Sequence, residues 1–185
     1  MSKSALLVMD LQQNIVDRYP DADYLARLRG AIDAARTAGV PVVHVVIGFR
    51  AGHPEISPRN KTFSAIAGSG AFAEGDPGAR IHPDLAPLAG ETVVTKRRVS
   101  AFAGSDLDLV LRAAGVDHLV LTGIATSGVV LSTLRQAADL DFGLTVLADG
   151  CLDGDPEVHR VLTEKVFPRQ ADVVTVAEWA AAVAK

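Results

Sequence analysis

Three places in this 185-residue chain hold residue types that could do chemistry, each directly after a short apolar run. Asp10 follows Leu7-Val8-Met9, Lys96 follows Val93-Val94-Thr95, and Gly123-Ile124-Ala125-Thr126-Ser127-Gly128 follows Leu119 to Thr122. A carboxylate can move a proton, and an ammonium beside it can orient it and steady negative charge. A helix start after the glycine-bearing turn offers unpaired N–H groups to a developing anion. Arg50, His53 and Arg98 stand in the following loops as candidates for gripping a polar or anionic substrate. Each feature also has a plainer reading. A carboxylate after a strand is often an N-cap, and a lysine at a strand end is often a solvated edge residue. The turn can be a strand-to-helix corner capped by Thr126 or Ser127. It fits neither a G-x-G-x-x-G nor a G-x-x-x-x-G-K-[ST] signature, so dinucleotide and P-loop chemistry find no support.

The remaining reactive residue types are dispersed. Cys151 is the single cysteine, which excludes an intramolecular disulfide framework and a cysteine-only zinc site. A free cysteine is more often a small hydrophobe than a nucleophile. The five histidines form no H-x-H or H-x-x-x-H pair, so no metal and no other cofactor is expected. Phe49, Phe63, Phe72 and Phe102 lie in or beside a long proline- and glycine-rich stretch, Gly48 to Gly90. Aromatics there can line a small-molecule pocket, anchor the loop, or bury against a second subunit.

The elements that must position these residues alternate along the chain. Ala5 to Met9, Val42 to Ile47, Thr92 to Thr95, Leu119 to Thr122, Leu144 to Leu147 and Val173 to Val176 read as buried strands. Between them, Asp23 to Ala38 places Leu25, Leu28, Ile32 and Ala35 at helical spacing, and Gly39 stops it. Asp106 to Ala114, Gly128 to Asp139, Glu157 to Val166 and Ala177 to Ala184 are further helices. Continuous apolar strands separated by helices predict a three-layer α/β/α, doubly wound, Rossmann-like fold. Its mostly parallel sheet has about six strands in a single domain spanning residues 1–185. In such a sheet ligands bind beyond the carboxyl ends of the strands, where the strand order reverses.

Composition narrows the partners. With 18 basic against 22 acidic residues and 49% hydrophobic content, the chain is an ordinary globular protein without a Lys/Arg block. Nucleic-acid and membrane-surface binding are therefore not expected. Met1 to Asp10 enters a strand-like run without a signal-peptide pattern, and no apolar run approaches a membrane span of about 18 residues. A cytoplasmic location is expected.

Taken together, Leu7-Val8-Met9-Asp10-Leu11-Gln12, Lys96 to Phe102 with Asp106-Leu107 and Leu111, and Leu121 to Thr126 resemble three motifs of the isochorismatase-like hydrolases, the cysteine hydrolase superfamily. Asp149 and His159 fall where a later motif of that family would place them. The resemblance implies a hydrolase of a small polar molecule, with Asp10 as general acid or base and Lys96 as its cation. It implies an oxyanion site in the Gly123 to Thr126 turn, at Ala125 and Thr126, and a homo-oligomer, dimer or tetramer, for which the Ala-rich helix around Trp179 would be suited; Gln12, Phe49, Arg98 and Phe102 are the further candidates for substrate contact. The family's T-G-x-x-T-x-x-C pattern puts its thiol where this chain has Val129, which carries no nucleophilic atom. Two expectations follow: hydrolysis through water, or a small-molecule-binding member without turnover.

Overall fold

The computed structural model describes residues 3–184, so residues 1, 2 and 185 of the expected domain lie outside it. The strands are β1 (Ser4–Met9), β2 (Val42–Ile47), β3 (Thr92–Lys96), β4 (His118–Ile124), β5 (Gly143–Leu152) and β6 (Asp172–Val174). They form one sheet of order β3-β2-β1-β4-β5-β6, and all five pairings are parallel. The order runs one way from β1 to β3 and the other way from β4 to β6, so β1 and β4 flank the topological switch point.

Alternation along each strand feeds two cores. Ala5, Leu7 and Met9 face one side with Leu107, Leu111 and Leu134, under α4 (Leu107–Ala113) and α5 (Leu131–Asp139). Leu6 and Val8 face the other with Leu28, Ile32 and Trp179, under α2 (Tyr24–Thr37) and α7 (Val176–Val183). Burying each such leucine contributes about 1.5–3 kcal/mol. Helix α2 ends as its sequence requires. Gly39 takes φ 68°, its N–H donates to the Arg36 carbonyl, and Val40 N–H donates to the Ala35 carbonyl. Gly115 closes α4 in the same way, at φ 67°.

Several boundaries differ from the sequence expectation. Strand β5 runs on to Leu152, because a register shift between Leu121 and Gly123 lets Gly123 pair with Cys151. The last strand stops at Val174, since Thr175 begins α7 with a capping box to Glu178. The helix expected from Gly128 opens with a wide turn, Thr126–Val130, before α5. The helix expected over 157–166 divides into α6 (Pro156–Val161) and a wide turn, Leu162–Val166. The long loop holds short helices, as a connection of its length often does, among them α3 (Lys61–Ser69), capped by Asn60; α1 (Gln13–Val16) was not expected. Trp179 is buried between α7 and the sheet. No described helix is long and apolar enough to cross a membrane.

Candidate active site

Asp10 is the first residue beyond β1, on the switch point. Its φ of 59° is left-handed, a conformation aspartate tolerates better than most residues, and its N–H donates to the Val45 carbonyl at 2.8 Å. That bond anchors the carboxylate between β1 and β2. Lys96 ends β3 and is 1% exposed. Its Nζ lies 3.0 Å from Asp10 Oδ2 and donates to the Arg98 carbonyl at 3.0 Å. Asp10 Oδ1 is buried without a hydrogen-bond partner among the described residues. Such an acceptor is costly unless something with a proton meets it.

Burial raises the Asp10 pKa above the ordinary carboxylate value, and the Lys96 ammonium opposes that rise through charge and hydrogen bond. The attraction of the lysine alone would predict a lowered value. Desolvation outweighs it because both groups are nearly removed from water.

Beyond β4 the chain makes a tight approach to β1. Gly123 has φ 145°, and a Cβ there would come 2.4 Å from the Met9 carbonyl oxygen, so only glycine fits. The Ile124–Ala125 peptide is cis. The Ala125 carbonyl accepts from Gly128 N–H at 3.0 Å and Val130 N–H at 3.3 Å. Ser127 N–H donates to Asp153 Oδ2 at 2.7 Å, and Thr126 Oγ1 lies 2.8 Å from His159 Nδ1. The turn is thereby held from within and from α6.

Asp10, Lys96, Ala125 and Val129 line one cavity of ≈ 230 Å³. Its walls are mostly apolar, from Ile15, Ile47, Phe63, Ile66, Phe72 and Val99, while Arg18 and Tyr19 also line it. The other expected contacts lie elsewhere. Gln12 is fully buried and bridges the backbone, with Nε2 donating to the Ile47 and Ala79 carbonyls and Oε1 accepting from Ile47 N–H. Phe49 is fully buried beside His53 and Phe63, and His53 is itself buried, its Nε2 2.8 Å from the Ala71 carbonyl. Arg98 donates to the Arg97 and Glu55 carbonyls, Arg50 pairs with Glu55, and Phe102 packs in the core against Phe142. Thr126 is buried behind the cavity. Arg18, Tyr19 and Ile66 were missed, because they lie in the turn after a short helix and on a loop helix whose positions no strand-end rule marks.

Cys151 is 1% exposed in the middle of the β4–β5 pairing, and burial pushes its thiol up to about 12. Its Sγ faces the Leu121 carbonyl and not the cavity. Among the described residues, no group of three or more His, Cys, Asp or Glu side chains could hold a metal ion.

A doubly wound parallel sheet with an acid–ammonium pair in a cavity at its switch point has the architecture of an α/β enzyme. The Isochorismatase domain model matches residues 4–178, and the chain belongs to the isochorismatase family of hydrolases. It is 32% identical over 167 residues to the isochorismatase family protein YwoC of Bacillus subtilis (strain 168), covering 90% of this chain and 87% of that one. It is 34% identical over 180 residues to the ureidoacrylate amidohydrolase RutB of Stutzerimonas stutzeri (strain A1501), covering 84% and 72%. The crystal structure of an isochorismatase family protein from Desulfovibrio vulgaris subsp. vulgaris str. Hildenborough superposes with a TM-score of 0.88 at 28% identity, covering 100% of both chains.

Proposed function

We propose that this chain hydrolyses a small polar metabolite by direct attack of water, with Asp10 and Lys96 as the working pair. The observation that carries the reading is the buried Asp10 Oδ1, unpartnered in a cavity whose other wall, Val129, offers no nucleophile. Oδ1 takes a proton from the attacking water as its oxygen bonds to the electrophilic carbon. The same proton passes to the leaving nitrogen or oxygen as that bond breaks. Lys96 keeps Asp10 oriented through Oδ2 and meets the negative charge that develops on the substrate, aided by backbone N–H groups of the turn at Ala125 and Thr126. Gln12 supports this site by fixing the loop after β1 against β2 and Ala79. The name of RutB makes amides the first bonds to try. The protein acts in the cytoplasm as a homo-oligomer on this reading.

The test is a metabolite-extract screen read by mass spectrometry, followed by a panel of amides, esters and vinyl ethers, comparing wild type with Asp10→Asn. Consumption of a metabolite by wild type alone supports the reading. A second reading, a ligand-binding member without turnover, draws on the Val129 side chain at the position of the family's thiol. A hydrolysable ligand recovered intact after long incubation at high protein concentration would favour it.

A further inference from the structure

The cavity carries one charged group that this mechanism does not use. Asp10 and Lys96 neutralise each other at its floor. Arg18, just after α1, lines the same cavity, is exposed, and has no side-chain hydrogen bond or ion pair among the described residues. Most other arginines are engaged: Arg27 with Asp21, Arg36 with Glu91, Arg97 with Glu55 and Arg160 with Glu157. Apart from Asp10, no carboxylate lines the cavity. The Asp153 carboxylate, the acidic neighbour of Tyr19, already accepts from the Ser127 and Asp155 N–H groups. The cavity therefore has a neutral ion pair at depth, apolar walls, and a guanidinium with no ion-pair partner among the described residues.

We propose that Arg18 is the anion receptor of this site and that the substrate is an acid. Its carboxylate, or another oxyanion, sits on the Arg18 fork, a short apolar body lies along Ile15, Phe63 and Ile66, and the bond to be cleaved reaches Asp10. This deepens the hydrolase reading and rests on it for the identity of the reacting end.

The experiment measures binding and does not need turnover. The probes are 4-methylpentanoate and its uncharged counterpart 4-methylpentan-1-ol, titrated calorimetrically into wild type, R18Q, R18K and D10N. Wild type binds the carboxylate about tenfold more tightly than the alcohol at low salt, and added salt narrows the gap. R18Q brings the two probes within about twofold, R18K keeps part of the preference, and D10N, which leaves the Lys96 charge without its partner, does not lower the preference. A preference that survives R18Q would put the anion on Lys96 and overturn the proposal, as would equal binding of the two probes by wild type. The Arg18 side chain is exposed and makes no hydrogen bond or ion pair among the described residues, so R18Q folds, which its unchanged thermal midpoint verifies. Failure of the hydrolase reading shows separately, as absent turnover in the extract screen with the probe preference intact.

Discussion

Thr126 Oγ1 and His159 Nδ1, 2.8 Å apart, join the turn after β4 to helix α6 across 33 residues of sequence. With the Ser127 N–H bond to Asp153, this clamp fixes the two residues just before the Gly128–Val129 wall of the cavity. His159→Leu leaves a fully buried hydroxyl unpaired, at a cost of about 1–3 kcal/mol. Thr126→Val in that background removes the orphan and returns most of the loss. Urea unfolding of the four proteins of the cycle measures the coupling. Additive effects of the two substitutions would show that the contact holds nothing.

The Asp10–Lys96 pair is almost wholly removed from water, with side chains 9% and 1% exposed. Removing one partner strands the other, so Asp10→Ala and Lys96→Met should each destabilise by about 3–5 kcal/mol. The double variant should regain much of that, because no buried charge is left alone. Stability would then exceed that of either single variant while activity stays lost. A double variant as unstable as the sum of the singles would mean that the two groups are not coupled.

Because burial holds the Asp10 pKa above the free carboxylate value of about 3.9, the pH behaviour has a definite sign. The ionised form takes the proton from water, so activity should fall as pH drops through the raised pKa, well before an exposed carboxylate would titrate. Stability moves oppositely. Between the unfolded and folded pKa values the native state binds the extra proton, so this group's contribution is largest at low pH and declines as pH rises through that window. Asp10→Asn removes that slope. Lys96→Met should raise the Asp10 pKa further, read from its carboxyl carbon by NMR, and an unchanged midpoint would deny the lysine any electrostatic role.

Strand ends were the readable part of this site, because apolar runs of β-branched residues announce parallel strands and the residue after each is visible at once. That places Asp10 and Lys96 without a structure. Residues set by side-chain direction were not readable. Gln12 looks like a substrate contact, two residues beyond Asp10, yet its amide matches the open N–H and C=O groups of Ile47 and the carbonyl of Ala79. Phe102 looks like a pocket aromatic and instead fills the core beside Phe142. The α3 wall had a local signal, Asn60 followed by Phe63 and Ile66 and then Gly70 at φ 72°, but the prolines and glycines around it masked the period. The reach of Arg18 into the cavity depends on how α1 packs, which no local pattern encodes.

The riskiest expectation concerns thiols. A cysteine nucleophile needs a thiolate in reach of the substrate, with a lowered pKa. Val129 supplies no sulfur, and Cys151 is buried in the β4–β5 pairing with its thiol pushed up to about 12. Native protein should therefore resist iodoacetamide at pH 8, and any hydrolysis should persist after that treatment and in Cys151→Ala. Asp10→Asn should lower the same activity by about 10²–10⁴-fold, the usual worth of a general acid–base group. Val129→Cys places a thiol on the cavity wall close to the turn and should add iodoacetamide-sensitive hydrolysis of simple esters. A mass-spectrometric adduct on Cys151 during turnover would refute the water mechanism, since only a thiol that reaches the substrate can carry one.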